Sequence, residues 1–243
     1  MDLSHFKIFG TKGIIASDKA TTIPICSSCV IGGMQRRPIP GNTHTQTDKN
    51  RGVLKRNNLA PGDRIFSDQF VSSVPGKNFN GRGQQSANHS YKGGTIFGDA
   101  ATGYLSIKHQ LGFTASETIT SLLAFEREST EVGVHIKGYN TDNGVYVAKE
   151  IIKKLHNSNQ TLSLSGIGAH HQNGVAENAI KNISRRARIA MFHAALRWPN
   201  KFDKHLWPLA MNNAVHIHNH TPRKTENLLL WNCGLDMLVI ILS

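Results

Sequence analysis

Apolar and polar positions along the chain follow two periods, and the switches between them mark out the elements. From Ile65 to Val71 the alternation is close to two, the spacing of a half-buried strand. Thr95 to Asp99 and Tyr104 to Leu111 repeat that pattern on either side of the turn Ala100-Ala101-Thr102-Gly103. Thr114-Ala115-Ser116-Glu117 has capping-box spacing and opens a helix with Ile119, Leu122 and Leu123 on one face. Val134 to Tyr139 predicts a short strand running up to Asp142. Val145 to His156 then predicts a helix that turns Ala148, Ile152 and Leu155 inward. A strand over Gln160 to Leu164 and a Gly- and His-rich loop from Gly166 to Gly174 come next. The longest helix runs from about Gly174 to Leu196, with an apolar stripe of Ile180, Ile183, Ala187, Ala190, Met191 and Ala194. Leu206 to Asn219 closes the series, with Leu206, Ala210, Asn213, Ala214 and Ile217 on one side.

The order β-β-β-α-β-α-β-α-α implies a mixed sheet covered by helices, an α/β or α+β layered fold. Residues 1 to about 59 show no such period and read as irregular. Pro75 to Gly93 is rich in Gly, Asn and Gln and reads as a long exposed loop or loose hairpin. No internal repeat is visible.

Charge narrows the choice of partner. The 243 residues carry a formal net charge of +12, which favours a polyanion, nucleic acid before an anionic membrane surface. No basic amphipathic helix with bulky aromatics supports the membrane. The apolar stretch Leu228 to Leu242 is interrupted by Asn232, Gly234 and Asp236, too short and broken to span a bilayer. Three cysteines, Cys26, Cys29 and Cys233, do not make a secreted disulfide framework, and Met1 to Lys7 lacks an apolar signal core. An intracellular protein is expected, in the nucleus or a cytoplasmic particle, not secreted.

Three acids stand out against this basic background. Asp68 lies inside a predicted strand, Asp142 ends another and is followed by the turn pair Asn143-Gly144, and Glu177 opens the longest helix. Strand ends and a helix start can converge at one edge of a sheet. Converging like charges are costly unless cations neutralise them, so such a trio argues for Mg2+ or Mn2+. Two such ions support in-line attack of water or a 3′-hydroxyl on a phosphodiester. Taken singly, each acid reads as well as a solvated residue or a helix-dipole partner.

The residues around the acids carry a resemblance. Ser67-Asp68-Gln69, Gly93 to Gly103 (GGTIFGDAATG), Thr141-Asp142-Asn143-Gly144 and Ala169 to Glu177 (AHHQNGVAE) are four of its motifs. Trp198-Pro199, Trp207-Pro208 and His218 to Pro222 complete it. Between about Pro61 and Pro222 the chain resembles the integrase of copia-type long-terminal-repeat retrotransposons, in the retroviral integrase superfamily. The resemblance implies an RNase H-like fold with a mixed five-stranded sheet flanked by helices. It makes Asp68, Asp142 and Glu177 the DDE triad and the ligands of Mg2+ or Mn2+, leaving Asp99 outside. It implies 3′-processing and strand transfer of DNA, with element ends and target DNA as partners and a homo-oligomer as the working form. Lys181, Arg185 and Arg188, with Arg186 beside them, are expected to grip phosphates beyond Glu177, and Gln172 and Asn173 to approach the DNA end.

Under the resemblance the domains are 1–59, a remnant of the pre-integrase zinc-binding region, 60–222, the catalytic core, and 223–243, a divergent tail. Cys26 and Cys29 resemble the Cys-x-x-Cys half of a zinc site whose His pair lies upstream. Only His5 precedes Cys26, so a vestigial site is expected and zinc is not. His170-His171 and His216, His218 and His220 offer ligand spacings without a third partner, and the family motifs already account for them. Glu177 is followed by Asn178 where the family commonly has Arg. Past Thr225 the family's continuation gives way to Leu-rich sequence, which reads as a fragment or decayed copy. The alternatives are a catalytically inactive nucleic-acid-binding remnant and, more weakly, a simple RNase H-like nuclease.

Overall fold

The structure, a computed structural model, describes residues 26–34, 59–79, 89–165 and 173–221. Five strands form one sheet: β1 (Ile65–Gly76), β2 (Tyr91–Asp99), β3 (Leu105–Gln110), β4 (Gly138–Thr141) and β5 (Thr161–Leu164). Their order is β3-β2-β1-β4-β5. The first three strands form an antiparallel meander, and β4 and β5 join β1 in parallel. The helices are α1 (Ser27–Gly33), α2 (Ala115–Glu131), α3 (Lys149–Asn157), α4 (Gly174–Arg197) and α5 (Trp207–Asn219). This is the α/β architecture expected, a mixed five-stranded sheet flanked by helices. No helix among the described residues is long and apolar enough to cross a membrane.

The sheet separates two cores. Phe97, Leu122, Phe125, Tyr139 and Ile151 join β2 and β4 to α2 and α3 in one. Ile96, Leu105, Ile183, Met211 and Ala214 join β2 and β3 to α4 and α5 in the other. Neighbouring Ile96 and Phe97 point to opposite faces, as a pleated strand requires. Phe97 stacks on Phe125 with 4.6 Å between ring centroids.

Several local expectations shift. β1 and β2 run further into the hairpin than their alternation shows, pairing as far as Gly76 and Tyr91 past an irregularity after Val71. Val145–Val147 is a 3-10 turn, and Ala148 is extended, so α3 starts only at Lys149. That changes the inward face by one residue: Ile151 is fully buried with Leu155, while Ile152 is 46% exposed. On α2, Leu122 and Phe125 face the core and Leu123 points out. On α5, Met211, Ala214 and Val215 are buried and Asn213 is exposed. The capping box is half formed: Thr114 accepts from the Glu117 amide, but the Glu117 carboxylate accepts from Gly112 N at 2.6 Å. Within the stretch read as irregular, residues 27–33 form α1 on the outer side of α4; the tail 223–243 lies outside the described residues.

Candidate functional site

Parallel pairing of β1 with β4 sets the first two acids level. Ile65 is opposite Tyr139 and Phe66 opposite Asn140. Carried on two residues, that register puts Asp68 beside Asp142, just past the end of β4. Asp142 is held by a turn of its own, its Oδ1 accepting from Gly144 N at 3.2 Å. The third acid, Glu177, is exposed in the first turn of α4.

The start of α4 is fastened to β1 beside Asp68. Asn173 occupies the N-cap position without capping the helix. Its side-chain amide donates instead to the Ser67 carbonyl at 3.2 Å. Ala176, one turn on, packs with Phe66 and Ala100. The hydroxyls of Ser67 and Tyr146 are hydrogen-bonded, which anchors the same stretch of β1 from its other face. Burial holds the Tyr146 hydroxyl well above the usual phenol range, and the charges of Asp68 and Asp142 push it the same way.

Electrostatics shows that the three acids share one neighbourhood. Asp68 is pushed up to about 6, first by burial, then by the charge of Asp142, with Glu177 adding to it. The amide of Gln69, which donates to Asp68 Oδ1 at 2.8 Å, offsets this only in part. Among the described residues none of the three carboxylates takes part in an ion pair; the bridges run between Lys77 and Asp203, Lys108 and Glu128, Lys137 and Asp63, and Lys154 and Glu126. The carboxylate oxygens do not all fall within 4.8 Å of one another. Uncompensated negative charge on hard oxygen donors fits Mg2+ or Mn2+.

The other expected residues divide. Lys181, Arg185 and Arg188 are exposed along α4 beyond Glu177. The Arg185 guanidinium also lies against α1, 3.1 Å from where a Cβ on Gly33 would stand. Gln172 lies outside the described residues, as do His170 and His171. Asn173 does not face a DNA end as expected: only 2% of it is exposed, because its amide is used to tie α4 to β1. Asp99 is structural, its carboxylate accepting from Gly62 N, Thr102 N and Thr102 Oγ1 in the β2–β3 turn. Gly103 closes that turn with a φ of +70°, a conformation that favours glycine. His216 and His220 stack at 4.0 Å, but the His220 ring bonds the His216 carbonyl and the pair belongs to no three-ligand cluster among the described residues. Cys26 and Cys29 stand at the start of α1 beside His193 of α4, a partner that no sequence spacing indicated.

Comparison with solved structures settles the architecture. The trimeric form of the HTLV-2 integrase catalytic core domain in complex with magnesium matches with a TM-score of 0.50 at 17% identity, covering 73% of this chain and 99% of that one. The fold is that of an integrase catalytic core. The dimeric form of the same domain gives a TM-score of 0.48 at 18% identity, over 71% of this chain and 96% of that one. A chain of the simian T-cell lymphotropic virus intasome in complex with the PP2A regulatory subunit B56 gamma gives 0.49 at 18%, over 88% of this chain and 68% of that one. No protein-family model matches the chain. No curated protein matches it either. Identities this low speak to fold alone.

Proposed function

We propose that this chain is the catalytic core of a copia-type retrotransposon integrase, a DDE-type polynucleotidyl transferase that processes DNA 3′ ends and joins them to target DNA. The observation that carries the reading is the meeting of Asp68 on the central strand β1, Asp142 just past the end of neighbouring β4 and Glu177 in the first turn of α4, within the integrase-core fold. The copia-type motifs and the net charge of +12 support it.

In this reading Asp68 and Asp142 would hold divalent metal from adjacent strands, with Glu177 of α4 as the third ligand. Bound there, Mg2+ or Mn2+ would supply Lewis-acid activation of a phosphodiester and stabilise the leaving oxygen. The chain's own residues do the positioning. Asn173 and Ser67 fix where Glu177 stands relative to Asp68, and Tyr146 holds the strand from behind. Lys181 and Arg188 draw the phosphate backbone along α4 toward the acids, with an affinity that falls as salt rises. A 3′-hydroxyl or water then attacks phosphorus in line, the new P–O bond forms, and the opposite 3′-oxygen departs. A homo-oligomer acting on element ends in the nucleus or a cytoplasmic particle is part of the same proposal.

The test is strand transfer by the full chain on a DNA end with Mg2+, compared with Glu177→Gln. Loss of roughly 10²–10³-fold or more is expected, the range seen when a group stabilising transition-state charge is removed. Equal activity in both proteins would remove Glu177 from the mechanism. Salt-sensitive DNA binding with no metal-dependent cleavage by either would favour the inactive binding remnant.

A further inference from the structure

The second cluster of ligand groups lies on the far stretch of α4 and depends on none of the acids. Cys26 Sγ is 3.4 Å from Nε2 of His193 and Cys29 Sγ is 3.9 Å from the same nitrogen. All three donor atoms lie within 4.8 Å of one another, the one such group among the described residues. The cysteines are half-buried and the histidine is exposed, which leaves the cluster open on one side.

Helix packing explains how residues 167 positions apart come together. α1 has seven residues, far too few to be stable alone in water. It lies antiparallel on α4: Gly33 is beside Arg185, Gly32 against Ile189, and the two cysteines at His193. Arg185, Ile189 and His193 are spaced by four and therefore share one face of α4. Contact is closest at Gly32, where a Cβ would stand 2.6 Å from Cγ1 and 3.0 Å from Cα of Ile189. Ser28, one turn earlier on α1, is buried in the same face. The small residues let the helix backbones approach, and that approach brings both sulfurs to one imidazole nitrogen.

We infer that Cys26, Cys29 and His193 form a zinc site that fastens the Cys-x-x-Cys helix to the catalytic core. Bond lengths support the choice. With Zn–S near 2.3 Å and Zn–N near 2.0–2.1 Å, tetrahedral geometry puts sulfur and nitrogen about 3.6 Å apart. The two separations, 3.4 and 3.9 Å, bracket that distance. Two thiolates and an imidazole are the donor set of zinc and a poor one for Mg2+. The open side leaves the fourth position to water or one more donor. The arrangement departs from a zinc module closed by its own upstream His pair, because the histidine here comes from the core helix that also carries Glu177.

The experiment is Co2+ titration of the reduced full chain, read by the thiolate-to-cobalt charge-transfer band, to which carboxylate-bound Co2+ does not contribute. One equivalent with tetrahedral ligand-field bands is expected, displaced by one equivalent of Zn2+. His193→Ala should weaken binding at least ~10-fold, since even the loss of a supporting group around a metal costs 10–100-fold. His193→Cys should restore it with a stronger charge-transfer band, which separates loss of a ligand from loss of folding. His5→Ala should leave the titration unchanged. The proposal is overturned if His193→Ala binds as wild type, if His5→Ala abolishes the band, or if the wild-type chain gives no tetrahedral spectrum. Ready formation of a Cys26–Cys29 disulfide at the same rate with and without Zn2+ would also overturn it.

Discussion

α4 carries a cluster of potential metal ligands near each end, and the two are built on opposite principles. At its start, three hard carboxylates from β1, the end of β4 and α4 repel one another and do not all fall within 4.8 Å. Further along, two soft sulfurs and a nitrogen sit inside that distance. Sheet register fixes the first cluster; a close helix crossing at Gly32 fixes the second. The difference matches the tasks proposed for them. A reactive site benefits from charge that is poised and uncompensated, whereas a structural site is best with donors already at bonding separation.

The strongest way to break this comparison is to exchange the losses. Asp68→Asn should abolish Mg2+-dependent strand transfer, a fall of roughly 10²–10³-fold or more, and leave the cobalt–thiolate band untouched. Cys26→Ser should remove that band and leave the isolated chemical step, measured in single turnover on a preassembled DNA end, within a few-fold of wild type. If either substitution moves both readouts equally, the two sites are one cooperative unit and the separation drawn between them fails.

The two sites also differ in how far the sequence disclosed them. The acids are legible because each sits beside a local signal: Asp68 in an alternating run, Asp142 before Asn143-Gly144, Glu177 just inside a helix start. Parallel pairing of β1 and β4, which sets Asp68 level with Asp142, is not written in any local pattern. Asn173 reads as facing DNA because the resemblance puts it in a loop near the DNA end, whereas its bond to Ser67 depends on a strand more than 100 residues away. His193 was invisible for a similar reason. It lies in a helix whose period is explained by the core stripe, and nothing local points toward Cys26. Ile152 reads as inward because its spacing suits a helix from Val145; the extended Ala148 restarts the count.

A second substitution tests the helix crossing directly. Replacing glycine by alanine in a helix ordinarily favours it by about 1 kcal/mol. At Gly32 the new methyl would meet the backbone of Ile189, and overpacking of that kind costs ~1–3 kcal/mol. The clash should win, so Gly32→Ala should lift α1 from α4 and weaken Co2+ binding roughly tenfold, with the thermal midpoint of the core unchanged. Wild-type metal affinity in Gly32→Ala would show that the crossing does not set the site.

The smallest expected effect concerns protons at the acidic end. Asp68 has a folded value of about 6 against an ordinary 3.8, so the folded chain holds its proton more tightly than the unfolded chain does. Stability from this group is therefore full below about pH 4 and is lost as pH rises through 6. Asp68→Asn removes that penalty. Part of the side chain faces solvent, and after discounting for screening the gain is on the order of 1 kcal/mol, or ~2–4 °C in thermal midpoint for a chain of this size. The gain should be seen at pH 7.5 without divalent metal and vanish near pH 4. Saturating Mg2+ should reduce it further, because the ion stabilises only the wild-type carboxylate cluster. The cysteine–histidine cluster supplies the contrast: Cys26→Ser should not gain stability at pH 7.5 without metal. If Asp68→Asn melts at the wild-type temperature at both pH values, the burial and the repulsion that raise Asp68 are absent.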